Sequence, residues 1–574
     1  MRSMLNKSMA LVAATGLLLS ASEVKALETS WQPVSGYWND SGNWNNGVPT
    51  AAVTSHVSGV SLRTAIITNN VPAQSAWLDI AYASGQQGAV QMTGGTFQAG
   101  RLHIAHTSSV GTFDLSGGAV NVTDGRIGMF GAGTFAQSGG SVTGNYWVIG
   151  YDANSYGVYT QSTGTAYFTS VFDLGLKAGA KGVCQLSGTG GLTAVGGVMV
   201  RAGQGLIVQD GGILDAGTST LGLNLGYSIG GRGTYVLNGG ALKASYVNVG
   251  ASGWGCVTQY AGAATVAQSL YVAQNAGSTG SYTLVSGKLS ASNHYVGFYG
   301  YGTFEQYGGT NTVLGTYLMV SAYNGSYGRY ALHDGWVSCT NLLIAGNGAG
   351  TSSTTGMVIV GGGRLDTITE VRIGSYGSGT LIQTGGVFTC AGELDVGLRT
   401  NSVGVYTQTA GEARFNKVYV GKDAGTYSNR YVIAGGTATM TSLDITTGAS
   451  QGGTFGIVGT NAGVTVVNAL TVGAGGTYEV TLGPDGFSAP YAGQFTLSAT
   501  ARLKVLSRGF LQDNVEIPIV TFGSWSNVRT FGTVEVETGT KPGELRSATP
   551  NYYDDRITLT IQLVPPPGTL IRLL

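Results

Sequence analysis

The residues best suited to chemistry fall in pairs that recur at a fixed spacing. Glu370 and Arg372, Glu393 and Asp395, and Lys417 and Tyr419 follow one another at steps of 23 and 24 residues. The two members of each pair are two positions apart, so on a β-strand both side chains point to the same side. If the step is one turn of a repeating coil, the pairs stack into an acid–base patch. Glu393 and Asp395, with Arg372 beside them, are then candidates for the general acid and base of a polysaccharide lyase or hydrolase. The competing expectation, and the favoured one, is a ladder of salt bridges on a solvated face. Asp79, His103 and Arg126 repeat the pattern near the start and are read as another surface row. A third set is aromatic: Tyr246, Tyr271, Tyr295 and Tyr317 recur on successive coils. Tyr exposed on a flat, neutral sheet suits stacking against sugar rings, so these four are the candidate glycan-binding residues.

Other chemistry has no foothold in the sequence. HExxH, P-loop and GGxGxD calcium motifs do not occur. Cys184, Cys256, Cys339 and Cys390 have no metal-ligand spacing and lie two or three coils apart, so free, mostly buried thiols are expected. Neither a metal nor a cofactor is expected.

The elements that must position these residues are written in two alternating phrases. The first reads GTFAQSGG from Gly133, GTYVLNGG from Gly233 and GTFEQYGG from Gly302. Fifteen copies, strong and weak, between residues 88 and 429 give a mean period of about 24. The second phrase sits half a period away, as WVIG from Trp147 and LDVG from Leu394. Both alternate with period two, a strand signal, and the glycine clusters between them supply turns. The expected fold is all-β: a β-solenoid, read as a right-handed parallel β-helix of about 15 coils of about 24 residues. Phe135, Tyr159, Tyr235, Tyr282, Phe304, Tyr330 and Tyr406 then occupy one inward position. Gln137, Gln161, Gln209, Gln259, Gln306, Gln383 and Gln408 occupy another, read as an inward amide ladder.

Composition narrows the function classes. Of 574 residues, 97 are Gly and only 10% are charged, with 28 basic and 28 acidic side chains and a mean hydropathy of +0.15. A net charge of zero argues against nucleic acid as a partner. Charge-driven disorder is excluded by the 43% hydrophobic content, and collagen by the low Pro.

The ends differ from the middle. Residues 1–26 read as a secretory signal peptide, and no later run is apolar enough for a transmembrane helix. Residues 27–75, with Trp31, Trp38 and Trp44, read as an N-terminal cap, with a sugar-binding aromatic site as the sharper alternative. The repeat is assigned to 76–446, a C-terminal β-sandwich-like domain to 447–562 and a Pro-rich tail to 563–574.

The opening W…SGNW…GVP, the Gly-rich coils and the β-rich end together resemble passenger regions built from autotransporter-associated β-strand repeats. Such regions occur in large bacterial surface and secreted proteins. The resemblance implies the solenoid and an extracellular or cell-surface location, and is weak for function. The last 110 residues lack the strand pattern of a β-barrel translocator. The tail LVPPPGTLIRLL, from Leu563, resembles the start of a PEP-CTERM sorting signal, with a Pro where that signal has Glu. The expected function is that of a non-catalytic, secreted or cell-surface repeat protein with a structural or adhesive role, contacting polysaccharide. The alternative is a carbohydrate-active β-helix enzyme.

Overall fold

The computed structural model describes residues 28–69, 72–346, 354–399, 402–423, 428–445, 452–509, 513–526 and 528–565. The expected signal peptide and most of the Pro-rich tail lie outside them. The chain winds into a β-solenoid of about 19 turns, with 61% of its residues in strands.

Each phrase builds one ladder. The first phrase gives short strands such as Ala132–Gln137, Tyr156–Gln161 and Lys181–Leu186, paired in parallel so that equivalent residues face each other. The second phrase ends longer strands such as Thr96–Ile104, Ala119–Ile127 and Ser141–Ile149, also parallel. A coil this short cannot bury its own apolar side. Stacked coils at a ~4.8 Å spacing bury it against neighbours and pair the backbone above and below. The inward residues form one continuous core from Trp31 to Ile561.

Two backbone positions explain the glycine content. Gly111 is the second residue of its strand, where a Cβ would lie 2.8 Å from Ile104 Cγ2 and 3.0 Å from Ala105 N, too close without a shift of the neighbours. The second phrase ends on Gly or Ala because the chain turns there through left-handed φ, 61° at Ala105 and 75° at Gly150.

The aromatic column forms as expected. Phe113, Phe135 and Tyr159 stack in series, as do Tyr282, Phe304 and Tyr330, with ring centroids 4.7 to 5.7 Å apart. The glutamines also point inward. Each spans coils through its amide: Gln161 Nε2 donates to Gly164 O at 3.1 Å and to Gly191 O of the next coil at 3.0 Å. All four cysteines are free thiols, and Cys184 fills a place in the aromatic column between Tyr159 and Ile207.

The expected ends need correction. Within 27–75, Glu28–Ser30 and Thr54–Val57 already join one ladder, and Ser35–Tyr37 and Thr64–Ile67 the other. Trp31, Trp38 and Trp44 are buried edge-to-face against one another, and Trp38 packs on Phe97. They close the apolar end of the stack and present no ring to a sugar. Residues 447–562 do not make a separate sandwich. The parallel ladders continue through Gly453–Val458, Thr477–Leu482, Arg502–Ser507 and Thr533–Val536. The repeat fades in sequence because the turns lengthen, while the inward alternation persists. Among the described strands, Arg556–Leu563 runs antiparallel to both of its partners, Glu516–Trp525 and Leu545–Tyr552, and this group caps the far end.

Candidate functional site

One outward column of the coil carries eight of the thirteen residues singled out in the sequence. His56 is in register with Asp79, Asp79 with His103, and His103 with Arg126. The column continues through Val148, Asp173, Met199, Asn224 and Asn248 to Tyr271 and Tyr295. It then passes Met319 and Leu343 to Arg372, Asp395 and Tyr419. Members of three sets read as separate thus share one row. Although it faces away from the core, much of this row is buried, because the turn after each strand folds back over it.

The acidic stretch stacks as expected, Glu370 on Glu393 on Lys417 and Arg372 on Asp395 on Tyr419. Its carboxylates are engaged. Arg372 pairs with Glu370 on its own strand, and Lys422 Nζ, from the turn, lies 2.8 Å from Glu393 Oε2 and 3.3 Å from Asp395 Oδ1. The ion pairs therefore run within a strand and to the turn. The hydrogen bond from Lys422 holds Glu393 below its ordinary range. Burial pushes Asp395 up to about 6, against the pull of Lys422. The Asp395 side chain is 0% exposed, so substrate has no path to it.

The four tyrosines do not form one stripe. Tyr271 and Tyr295 are register partners and stack at 5.0 Å, but Tyr246 pairs with Ser269 and Tyr317 with Asn341, two positions earlier on the strand. All four are half-buried. Phe298, from the turn, packs edge-on to both Tyr271 and Tyr295, and with Met319, Ala322 and Leu343 they make a small second core outside the coil. This is ring packing that seals the sheet, leaving no open face for a sugar. A bulge shifts the register between Ala244 and Tyr246, which a spacing count cannot detect.

Asp173 is a site residue that the sequence reading missed. It accepts from Tyr146 Oη at 2.7 Å and Arg201 Nε at 2.8 Å, and burial raises its pKa. A lone acid within an FDLG phrase carries no signal until its column is known.

A second missed feature lies on the other ladder, at the first position of its strands. Tyr156, Lys181, Gln204, Arg232 and Trp254 are consecutive register partners, all exposed. They rim an open groove of about 380 Å³ floored by Val183 and Leu206. Four coil steps of ~4.8 Å make it roughly 19 Å long. Among the described residues neither Lys181 nor Arg232 forms an ion pair. The signal for this row was present: each residue immediately precedes the Gly of the first phrase.

Comparison of the chain with protein-family models, with curated proteins and with solved structures found no match.

Proposed function

We propose that this is a non-catalytic extracellular or cell-surface repeat protein with a structural and adhesive role, and that the groove from Tyr156 to Trp254 contacts acidic polysaccharide. The groove carries this reading. Its two end rings offer flat faces for sugar stacking, and Lys181 and Arg232 between them offer unneutralised positive charge to carboxylates. The rod supports it from another side: few charges, a continuous core and a sheet closed at both ends suit a rigid spacer. The location rests on the Met1–Ala26 leader and on the resemblance to autotransporter-associated repeats.

The test is binding of the purified chain to polygalacturonate and alginate, with dextran as the neutral comparison. Binding to the acidic polymers that weakens with salt is expected, and Trp254→Ala or the double change Lys181→Ala and Arg232→Ala should reduce it about tenfold or more. These side chains are exposed, so the variants should fold. Equal binding to dextran, or no effect of either variant, would overturn the groove assignment.

A carbohydrate-active enzyme is the second reading, favoured by one observation: Glu393 and Asp395 have pKa values driven in opposite directions. Release of soluble sugar that disappears in Glu393→Gln would establish it. The burial of Asp395 beneath Lys422 weighs against it.

A further inference from the structure

We propose that Asp79, His103 and His106, supported by His56, form a binding site for a first-row divalent cation, with Zn²⁺ the best match. The chain has five His in 574 residues, and three of them meet here. His56, Asp79 and His103 stand on three successive coils of the outward column. His106 comes from the turn that follows His103, reversed by the left-handed Ala105. Its ring lies 5.6 Å from that of His103. One donor atom from each of Asp79, His103 and His106 lies within 4.8 Å of the other two. Donor atoms this close can be drawn onto one Zn²⁺ ion, whose bonds to nitrogen and oxygen are ~2.0–2.2 Å.

The hydrogen bonding points to a ligand more directly than proximity does. His103 Nδ1 lies 2.9 Å from Asp79 Oδ1, so these two atoms are the donors an ion would share, with the proton between them released on binding. His103 is 3% exposed, and its Nε2 is buried with no hydrogen-bond partner. His106 Nδ1 is buried and unpartnered as well. An unpartnered buried nitrogen is costly, and a cation held by Asp79 and His103 would engage that of His106. His56 Nδ1 lies 3.2 Å from Asp79 Oδ2, on the carboxylate's other side, the place of an outer residue around a metal ligand.

The surroundings admit a cation. A cavity of about 340 Å³ opens onto the cluster, with Glu28, Trp77 and Tyr82 on its walls. The nearby cations are turned to other partners: Arg126 to Asp124 at 2.9 Å, and Arg101 over the Trp77 ring at 4.3 Å. Imidazole and carboxylate together suit Zn²⁺, Ni²⁺ or Cu²⁺ over Ca²⁺ or Mg²⁺, which take oxygen ligands. The amino-acid spacing hid the site. His56, Asp79, His103 and His106 match no short motif, because two of the intervals are whole coils.

The experiment is dialysis of the full chain against Zn²⁺, metal analysis of the protein, and calorimetric titration. One retained equivalent is expected in the unmodified chain. His106→Gln and His103→Gln should each weaken binding tenfold or more, and His333→Gln, far along the rod, should leave it unchanged. His106 sits half-buried in a turn, so its variant should keep the fold. Co²⁺ in the same place should give the intense visible bands of a low-coordinate nitrogen–oxygen site, lost in His106→Gln. Less than a tenth of an equivalent in the unmodified chain, or affinity unaffected by both His103→Gln and His106→Gln, would overturn the proposal.

Discussion

Tyr159 Oη donates to Gln137 Oε1, one coil earlier, at 2.8 Å within the core. The same bond joins Tyr235 to Gln209, Tyr282 to Gln259, Tyr330 to Gln306 and Tyr406 to Gln383, each at 2.6 Å. Where the earlier coil offers Leu or Met at that position, the ring above is Phe: Phe113 follows Met92, Phe135 follows Leu115 and Phe304 follows Leu284. A buried hydroxyl is thus admitted only where a partner waits for it. The glutamine also spans two backbone carbonyls, so each Gln–Tyr pair locks two coils in register.

Tyr159→Phe should therefore cost about 1–3 kcal/mol, because Gln137 Oε1 is left buried without a donor. Phe304→Tyr should destabilise by a similar amount, since Leu284 offers it nothing. Chemical denaturation of both variants checks this, and a neutral Tyr159→Phe would contradict it.

The cysteines should react in the order of their exposure. Burial pushes the Cys184 and Cys339 thiols well above their ordinary range, and Cys256 less so. In the native protein, alkylation followed by mass spectrometry should modify Cys256 first and leave Cys184 and Cys339 untouched until the rod unfolds.

Asp395 and Asp79 should tilt the stability profile in opposite directions. Asp395 has its pKa raised from 3.8 to about 6, so the folded state holds the proton more tightly. Its contribution is complete below pH ~4 and is lost as pH rises to about 6. Above that pH the buried carboxylate costs on the order of 3 kcal/mol, and Asp395→Asn should raise the melting temperature at pH 7. In Asp79, burial opposes ionisation, but hydrogen bonds and charge from His103 and His56 prevail and lower the pKa from 3.8 to about 2. Its contribution is present above pH ~4 and is lost as pH falls toward 2. Asp79→Asn should lower the melting temperature at pH 7. Melting curves of the two variants between pH 3 and 8 separate these signs.

Trp38→Ala should open the first coils and spare the distant ones. Trp38 is fully buried at the start of the core, and such truncations cost about 3–5 kcal/mol. Each coil of a solenoid touches only its neighbours, so the loss should stay local. Hydrogen exchange should speed up in strands Thr54–Val57 and Thr64–Ile67 and remain unchanged around Tyr406.

The sequence by itself determined the solenoid, its inward residues and its free thiols. Those follow from local rules: period-two alternation, a 24-residue repeat of Gly-aromatic phrases, and glycine where the strand passes close to the preceding turn. It also placed Phe135, Tyr159 and Tyr406 in one column, because a constant period carries register directly. The tertiary structure alone decided what lies across coils where that constancy breaks. A bulge beside Tyr246, and the break in the strand before Tyr317, left these two out of line with Tyr271 and Tyr295. Turns laid Phe298 over the tyrosines and Lys422 over Asp395. The reversal at Ala105 brought His106 back to His103, while stacking set both within reach of Asp79. Outward residues take their environment from the turn above them, and turn geometry is not written in the period.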